Sequence, residues 1–96
     1  MAKVSRTPTA RRDIAQIWSY IAQDNELAAT ALSNEFDEAL TLLERFPGAG
    51  RSRDAWQPGL RSYPVRDYLL FYRRVKGGIQ LLRVIHGSRD LRKHFP

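Results

Sequence analysis

The sequence predicts an α+β fold: an N-terminal short strand, then an antiparallel helical hairpin packed on a small antiparallel β-sheet, in the order β-α-α-β-β-β. Three observations predict it. Apolar residues recur at helical spacing through the first half, Phe46-Pro47-Gly48 ends that pattern, and β-branched and aromatic runs follow from Leu60 onward. A chain of 96 residues supports one domain, here 1–96 with a charged tail over 88–96.

Lys3-Val4-Ser5-Arg6 reads as a short edge strand, and Thr7-Pro8-Thr9 supplies helix-start chemistry. A threonine hydroxyl caps a free backbone N–H, and proline suits the first helical position. Ile14, Ile17, Trp18 and Ile21 form the stripe of a first amphipathic helix, which ends near Gln23-Asp24-Asn25. A second helix starts at about Asn25–Leu27 and buries Ala28, Leu32, Phe36, Ala39, Leu40 and Leu43. So short a turn makes the two helices antiparallel neighbours. Residues 47–59 are rich in Gly and Pro and read as a loop. Leu60–Val65, Tyr68–Val75 and Ile79–His86 read as strands, the last two flanking the hairpin signal Lys76-Gly77-Gly78.

A two-residue Gly77-Gly78 turn sets Phe71 across from Val84 and Leu69 across from His86. Alternation then puts Leu69, Phe71, Leu82 and Val84 on one sheet face, and Tyr68, Leu70, Tyr72, Leu81, Arg83 and Ile85 on the other. Both faces are largely apolar and the helical hairpin covers one. The second face is expected to need a partner.

Charge is lopsided. Residues 1–48 carry five basic and seven acidic side chains, a net of −2, whereas residues 49–96 carry eleven and three, a net of +8. Thirteen of the sixteen basic residues are arginine, which favours forked contacts to phosphate or carboxylate. A polyanionic partner is one reading and a solvated face the other. With no cysteine, disulfides and thiolate metal sites are excluded, and His86 and His94 match no metal-ligand spacing. No metal or cofactor is implied. The N-terminus lacks the apolar core of a signal peptide, and Tyr68–Tyr72 is the longest apolar run, so a cytoplasmic protein without a membrane span is expected.

The segments ARRDIAQIWSYIA (10–22), FPGAGRSR (46–53), LRSYPVRDYLLFY (60–72) and LRVIHGSRD (82–90), taken in order, resemble the RelE/ParE toxin superfamily over essentially the whole chain. The resemblance implies the toxin of a type II toxin–antitoxin system. RelE-like members are ribosome-dependent mRNA endonucleases, whereas ParE-like members poison DNA gyrase without hydrolysis. Each is held inactive by the C-terminal segment of a co-expressed antitoxin.

An RNase needs a base for the 2′-hydroxyl, cations for the phosphorane and an acid for the leaving oxygen. The RelE-like pattern implies an arginine where this chain has Leu69, and a C-terminal tyrosine where it has Phe95. Of that set His86 and Arg89 remain, so a ParE-like gyrase inhibitor is expected rather than an enzyme. A RelE-like nuclease using His86 and Arg89 is the alternative. His86 also reads as a strand-end histidine bonded to backbone, and Arg89-Asp90 as a local ion pair. Ser88 with His86 and Asp90 is not expected to form a triad, because alternate residues at a strand end rarely converge. Trp18 reads as core, and Trp56 as core or contact.

Arg89, Leu91, Arg92, Lys93 and Phe95 are the candidate gyrase contacts. Candidate antitoxin contacts are Leu69, Phe71, Leu82, Val84, Trp56 and the arginines Arg51, Arg53, Arg61 and Arg66. The expected antitoxin is ParD-like, a ribbon-helix-helix protein with an acidic C-terminal segment. It would give a hetero-oligomer that meets DNA through the antitoxin.

Overall fold

The structure, a computed structural model that describes residues 3–95, contains strand β1 (Lys3–Arg6), helices α1 (Pro8–Ala22) and α2 (Glu26–Arg45), then β2 (Arg51–Ser52), β3 (Arg61–Val65), β4 (Tyr68–Val75) and β5 (Gly78–His86). Met1, Ala2 and Pro96, the last residue of the expected tail, lie outside the described residues. The strands form one sheet in the order β1-β5-β4-β3-β2. Its architecture is the expected helical hairpin on a sheet, with two differences. First, β1 runs parallel to β5, so the sheet is mixed rather than wholly antiparallel. Apolar alternation records which face a strand buries, not which way its neighbour runs. Second, two residues of the expected 47–59 loop, Arg51 and Ser52, form β2 against Ser62 and Arg61. Both are polar and exposed, so no hydrophobic pattern announces them.

Thr7 caps α1 by accepting from the Ala10 N–H, with Pro8 in the first turn, and Asn25 caps α2 by accepting from the Ala28 N–H. The packed seam of α2 is Ala29, Leu32, Phe36, Ala39, Leu40 and Leu43, so Ala29 replaces the expected Ala28, which is exposed in the first turn. On α1 the deepest residues are Ala10 and Asp13, with Ile14, Ile17 and Ile21 half-buried. That contact line turns Trp18 to the margin, where 37% of it stays exposed, so it is not a core residue.

Both glycines of the hairpin signal are needed, for different reasons. The turn is Lys76-Gly77, with Val75 opposite Gly78, and Gly77 supplies the positive φ of 84°. Gly78 is required by β1: a Cβ there would lie 1.8 Å from the Lys3 carbonyl oxygen. A bulge between Phe71 and Tyr72 then moves the pairing from Tyr72↔Leu81 to Phe71↔Arg83, which exchanges the sheet faces of residues 83–86. Val84 therefore packs in the helix-side core, while Ile85 joins the outer face. Leu69 faces Ile85, and Tyr68 is the residue across from His86.

The sheet separates two apolar clusters. Between sheet and helices lie Leu32, Phe36, Leu40, Leu43, Leu70, Tyr72, Ile79, Leu81 and Val84. On the outer side Leu60, Phe71 and Ile85 are covered by Phe95, with Trp56, Leu69, Leu82 and Leu91 at the edges. The outer face is thus closed by the chain's own tail and loop, contrary to the expectation that it needs a partner for cover. Neither Leu91 and Phe95 in a charged tail nor a lone Trp56 in a Gly/Pro-rich segment carries periodicity, so their packing leaves no pattern.

Candidate functional site

The tail is built around one buried aromatic ring. After β5 the Gly87 N–H donates to the Asp67 carbonyl and the Arg89 N–H to that of His86, which turns the chain back across the outer face. A single 3-10 turn, Arg92–His94, then delivers Phe95 onto Phe71 at a ring separation of 4.6 Å, and Trp56 stacks on Phe71 at 6.1 Å. Phe95 is 4% exposed. It anchors the tail in this chain and is not displayed to a partner. Arg89, Arg92 and Lys93 are exposed, with Leu91 half-buried. The Arg92 guanidinium donates to the Phe95 carbonyl, which tightens the end of the turn.

A half-buried charge cluster supports the tail from below. Asp13 of α1 takes both Nε and Nη2 of Arg83, at 2.9 and 3.1 Å, and accepts the Val84 N–H at 3.0 Å. The forked geometry is the one that best repays desolvation of a guanidinium–carboxylate pair. Asp13 thereby satisfies the edge of β5 beyond the four residues paired with β1. Arg83 Nη1 lies 3.3 Å from His94 Nδ1, joining this cluster to the tail. Asp13 shows one signal in the sequence, a carboxylate among the isoleucines of the α1 stripe, and its role is made by the distant Arg83.

The residues weighed as nuclease groups do not assemble as such. His86 packs edge-on to the Tyr68 ring at 5.2 Å. Its Nδ1 accepts the Ser88 N–H at 3.1 Å and lies 2.7 Å from Ser88 Oγ. Ser88 and His86 do converge, contrary to expectation, but as a local turn in which the serine's own amide competes for the same nitrogen. Asp90 takes no part in it, and among the described residues no guanidinium bonds to the imidazole. The three ion pairs among the described residues are Arg6–Asp37, Arg66–Glu35 and Arg83–Asp13, so Arg89–Asp90 is not one.

The candidate antitoxin contacts divide. Phe71 and Val84 are buried, and Leu69 and Leu82 are half-buried in or beside the outer cluster. Arg61 bonds the Gly50 carbonyl at 2.8 Å, and Arg66, at φ 53° in the β3–β4 turn, pairs with Glu35. Arg51 is exposed on β2. Arg53 donates through Nε to Ser62 Oγ and lies 4.5 Å over the Trp56 ring. Burial, and then the neighbouring Arg51 charge, lower the Arg53 pKa from its ordinary value. Tyr72 is pushed up, chiefly by burial, and its hydroxyl accepts from Gly50 N–H and donates to the Pro47 carbonyl.

A family model for the ParE toxin of the type II toxin–antitoxin system parDE matches residues 4–91. The chain belongs to the ParE toxin family. Among its relatives, Toxin ParE3 of Caulobacter vibrioides is 28% identical over 92 residues, 95% of this chain and 92% of the relative. Toxin ParE1 of the same organism is 27% identical over 87 residues, 90% of each. A solved structure described as the chromosomal ParDE TA system from P. aeruginosa superimposes with a TM-score of 0.73 at 24% identity, covering 90% of this chain and 96% of that one, and supports the ParE fold.

Proposed function

We propose that this ParE-family chain is the toxin of a type II toxin–antitoxin pair that acts on DNA gyrase by binding rather than by cutting RNA. The carrying observation is the surroundings of His86: a tyrosine ring and a serine turn, with no guanidinium bonded to it among the described residues to stabilise a phosphorane. The exposed cations Arg89, Arg92 and Lys93, held on a tail that Phe95 fixes, suit a docking element. They are the proposed gyrase contacts.

A ParD-like antitoxin with an acidic C-terminal segment is proposed to neutralise the toxin along the helical hairpin, in the cytoplasm. There Trp18, Tyr20 and Leu27 expose 37, 72 and 84% of their surface. Beside Trp18 an open groove of about 460 Å³ is lined by Arg6, Arg11, Ile14, Ser19 and Ser33. Apolar exposure bordered by arginines suits an amphipathic acidic segment. Sequence-specific DNA reading falls to the antitoxin's ribbon-helix-helix domain, since neither helix here carries a recognition-helix signature.

Purified gyrase assayed for supercoiling and DNA cleavage is expected to lose supercoiling and accumulate cleaved DNA when the toxin is added, with no new mRNA ends by primer extension. New mRNA ends with unaffected gyrase would establish the RelE-like alternative, using His86 and Arg89, instead.

A further inference from the structure

The sheet is the basic layer of this molecule, and its outer surface holds arginines that pair with no carboxylate among the described residues. Strands β2 to β5 contain Arg51, Arg61, Arg73, Arg74 and Arg83 and no Asp or Glu, whereas α2 carries five acidic residues against Arg45. The three ion pairs among the described residues all tie an arginine to a helix carboxylate. Arg51, Arg53 and Arg73 are outside that set.

Register places these three on one face. Arg51 is opposite Ser62, and Ser62 is opposite Phe71, the centre of the outer cluster. Arg53 and Arg73 lie two residues further along from Arg51 and Phe71, so by alternation they share that side. Each of the latter two is oriented by a neutral acceptor: Arg53 Nε donates to Ser62 Oγ at 2.9 Å, and Arg73 Nε to Gln80 Oε1 at 3.0 Å. Bonding through Nε leaves the Nη edges, the anion-gripping side of the fork, unspent on another charge.

We infer that this outer face, through Arg51, Arg53 and Arg73, binds the phosphodiester backbone of duplex DNA directly and without sequence preference. An acidic protein segment offers the same sign of charge but would also seek apolar anchors. Those are already taken, since Phe95 and Trp56 fill the apolar centre of the face. What remains outward is guanidinium, which matches a polyanion with no apolar surface to bury and a charge every ~1.7 Å of helix axis. The inference rests on the gyrase reading only for where DNA is met; the face itself is tested on a bare duplex.

The test is fluorescence anisotropy of a labelled 20-base-pair duplex against the full chain over a range of salt concentrations. Three phosphate contacts give a log–log salt slope of about −2.7. Arg51→Gln and Arg73→Gln are each expected to reduce the slope by about one, equally for unrelated sequences, while Arg12→Gln on exposed α1 leaves it unchanged. Circular dichroism of each variant checks that the fold is kept. Three results would each overturn the inference: no binding at low salt, binding indifferent to both sheet arginines, or capture of a polyglutamate peptide in preference to the duplex. None of them involves gyrase, so the gyrase reading stands or falls separately.

Discussion

Tyr72 joins three parts of the chain through one hydroxyl, linking β4 to the Gly50 N–H and the Pro47 carbonyl just after α2. Tyr72→Phe leaves both groups without that partner in a site where the ring is fully buried, and is expected to cost about 1–3 kcal/mol in urea unfolding. The same burial raises the Tyr72 pKa, and burial with the nearby Asp67 charge raises that of Tyr68. A raised folded pKa contributes stability that is complete below the unfolded value of about 10 and is lost as pH rises through the folded one. Unfolding free energy should therefore hold through neutrality and fall above about pH 10, less steeply in Tyr72→Phe; an unchanged alkaline slope in that variant would remove Tyr72 as its source. Gly78 is constrained by contact rather than by φ. Gly78→Ala forces a methyl into the Lys3 backbone and is expected to free β1, read as rapid amide exchange at Lys3 and Thr7, whose N–H groups donate to Gly77 and Leu81.

Among the elements, the C-terminal tail covers the outer cluster with one side and carries the cations proposed as gyrase contacts on the other. Its inner side is core, so removal after Gly87 strips the cover from Leu60, Phe71 and Ile85 as well as deleting the exposed cations. Loss of toxicity on truncation would not distinguish the two. Point substitutions do. Phe95→Ala is expected to cost about 3–5 kcal/mol, seen as a lowered urea midpoint and altered Trp56 fluorescence. The triple variant Arg89→Gln, Arg92→Gln, Lys93→Gln should keep most of the fold's stability yet reduce gyrase inhibition at least tenfold, with antitoxin binding retained. Full inhibition by the folded triple variant would remove the tail from the gyrase contact.

At the scale of the whole molecule, what was legible in the sequence is what periodicity and capping encode. Thr7 and Pro8, the α2 seam from Leu32 to Leu43, the helix stop at Phe46-Pro47 and three strands all follow from local chemistry. Hidden were features made by distant contacts: the bulge that turns Val84 inward, the parallel β1 and the Asp13–Arg83 fork. For the candidate site this decided the outcome, because the turn at Lys76-Gly77 and the extra residue in β5 together replace Leu69 with Tyr68 opposite His86, and Phe95 is spent on the core. The charge asymmetry was legible, and the fold sharpens it by stacking an acidic α2 on strands with no acid. A field divided in this way should steer the encounter with an acidic antitoxin segment more than it holds the complex, since exposed charges are screened beyond about 8–10 Å at physiological salt. In stopped-flow mixing, raising salt from 50 to 500 mM should slow association at least tenfold and change dissociation far less. Equal changes in both rates would place the charges inside the contact, and a salt-independent association would leave the exposed Trp18, Tyr20 and Leu27 of the helical hairpin as the source of recognition.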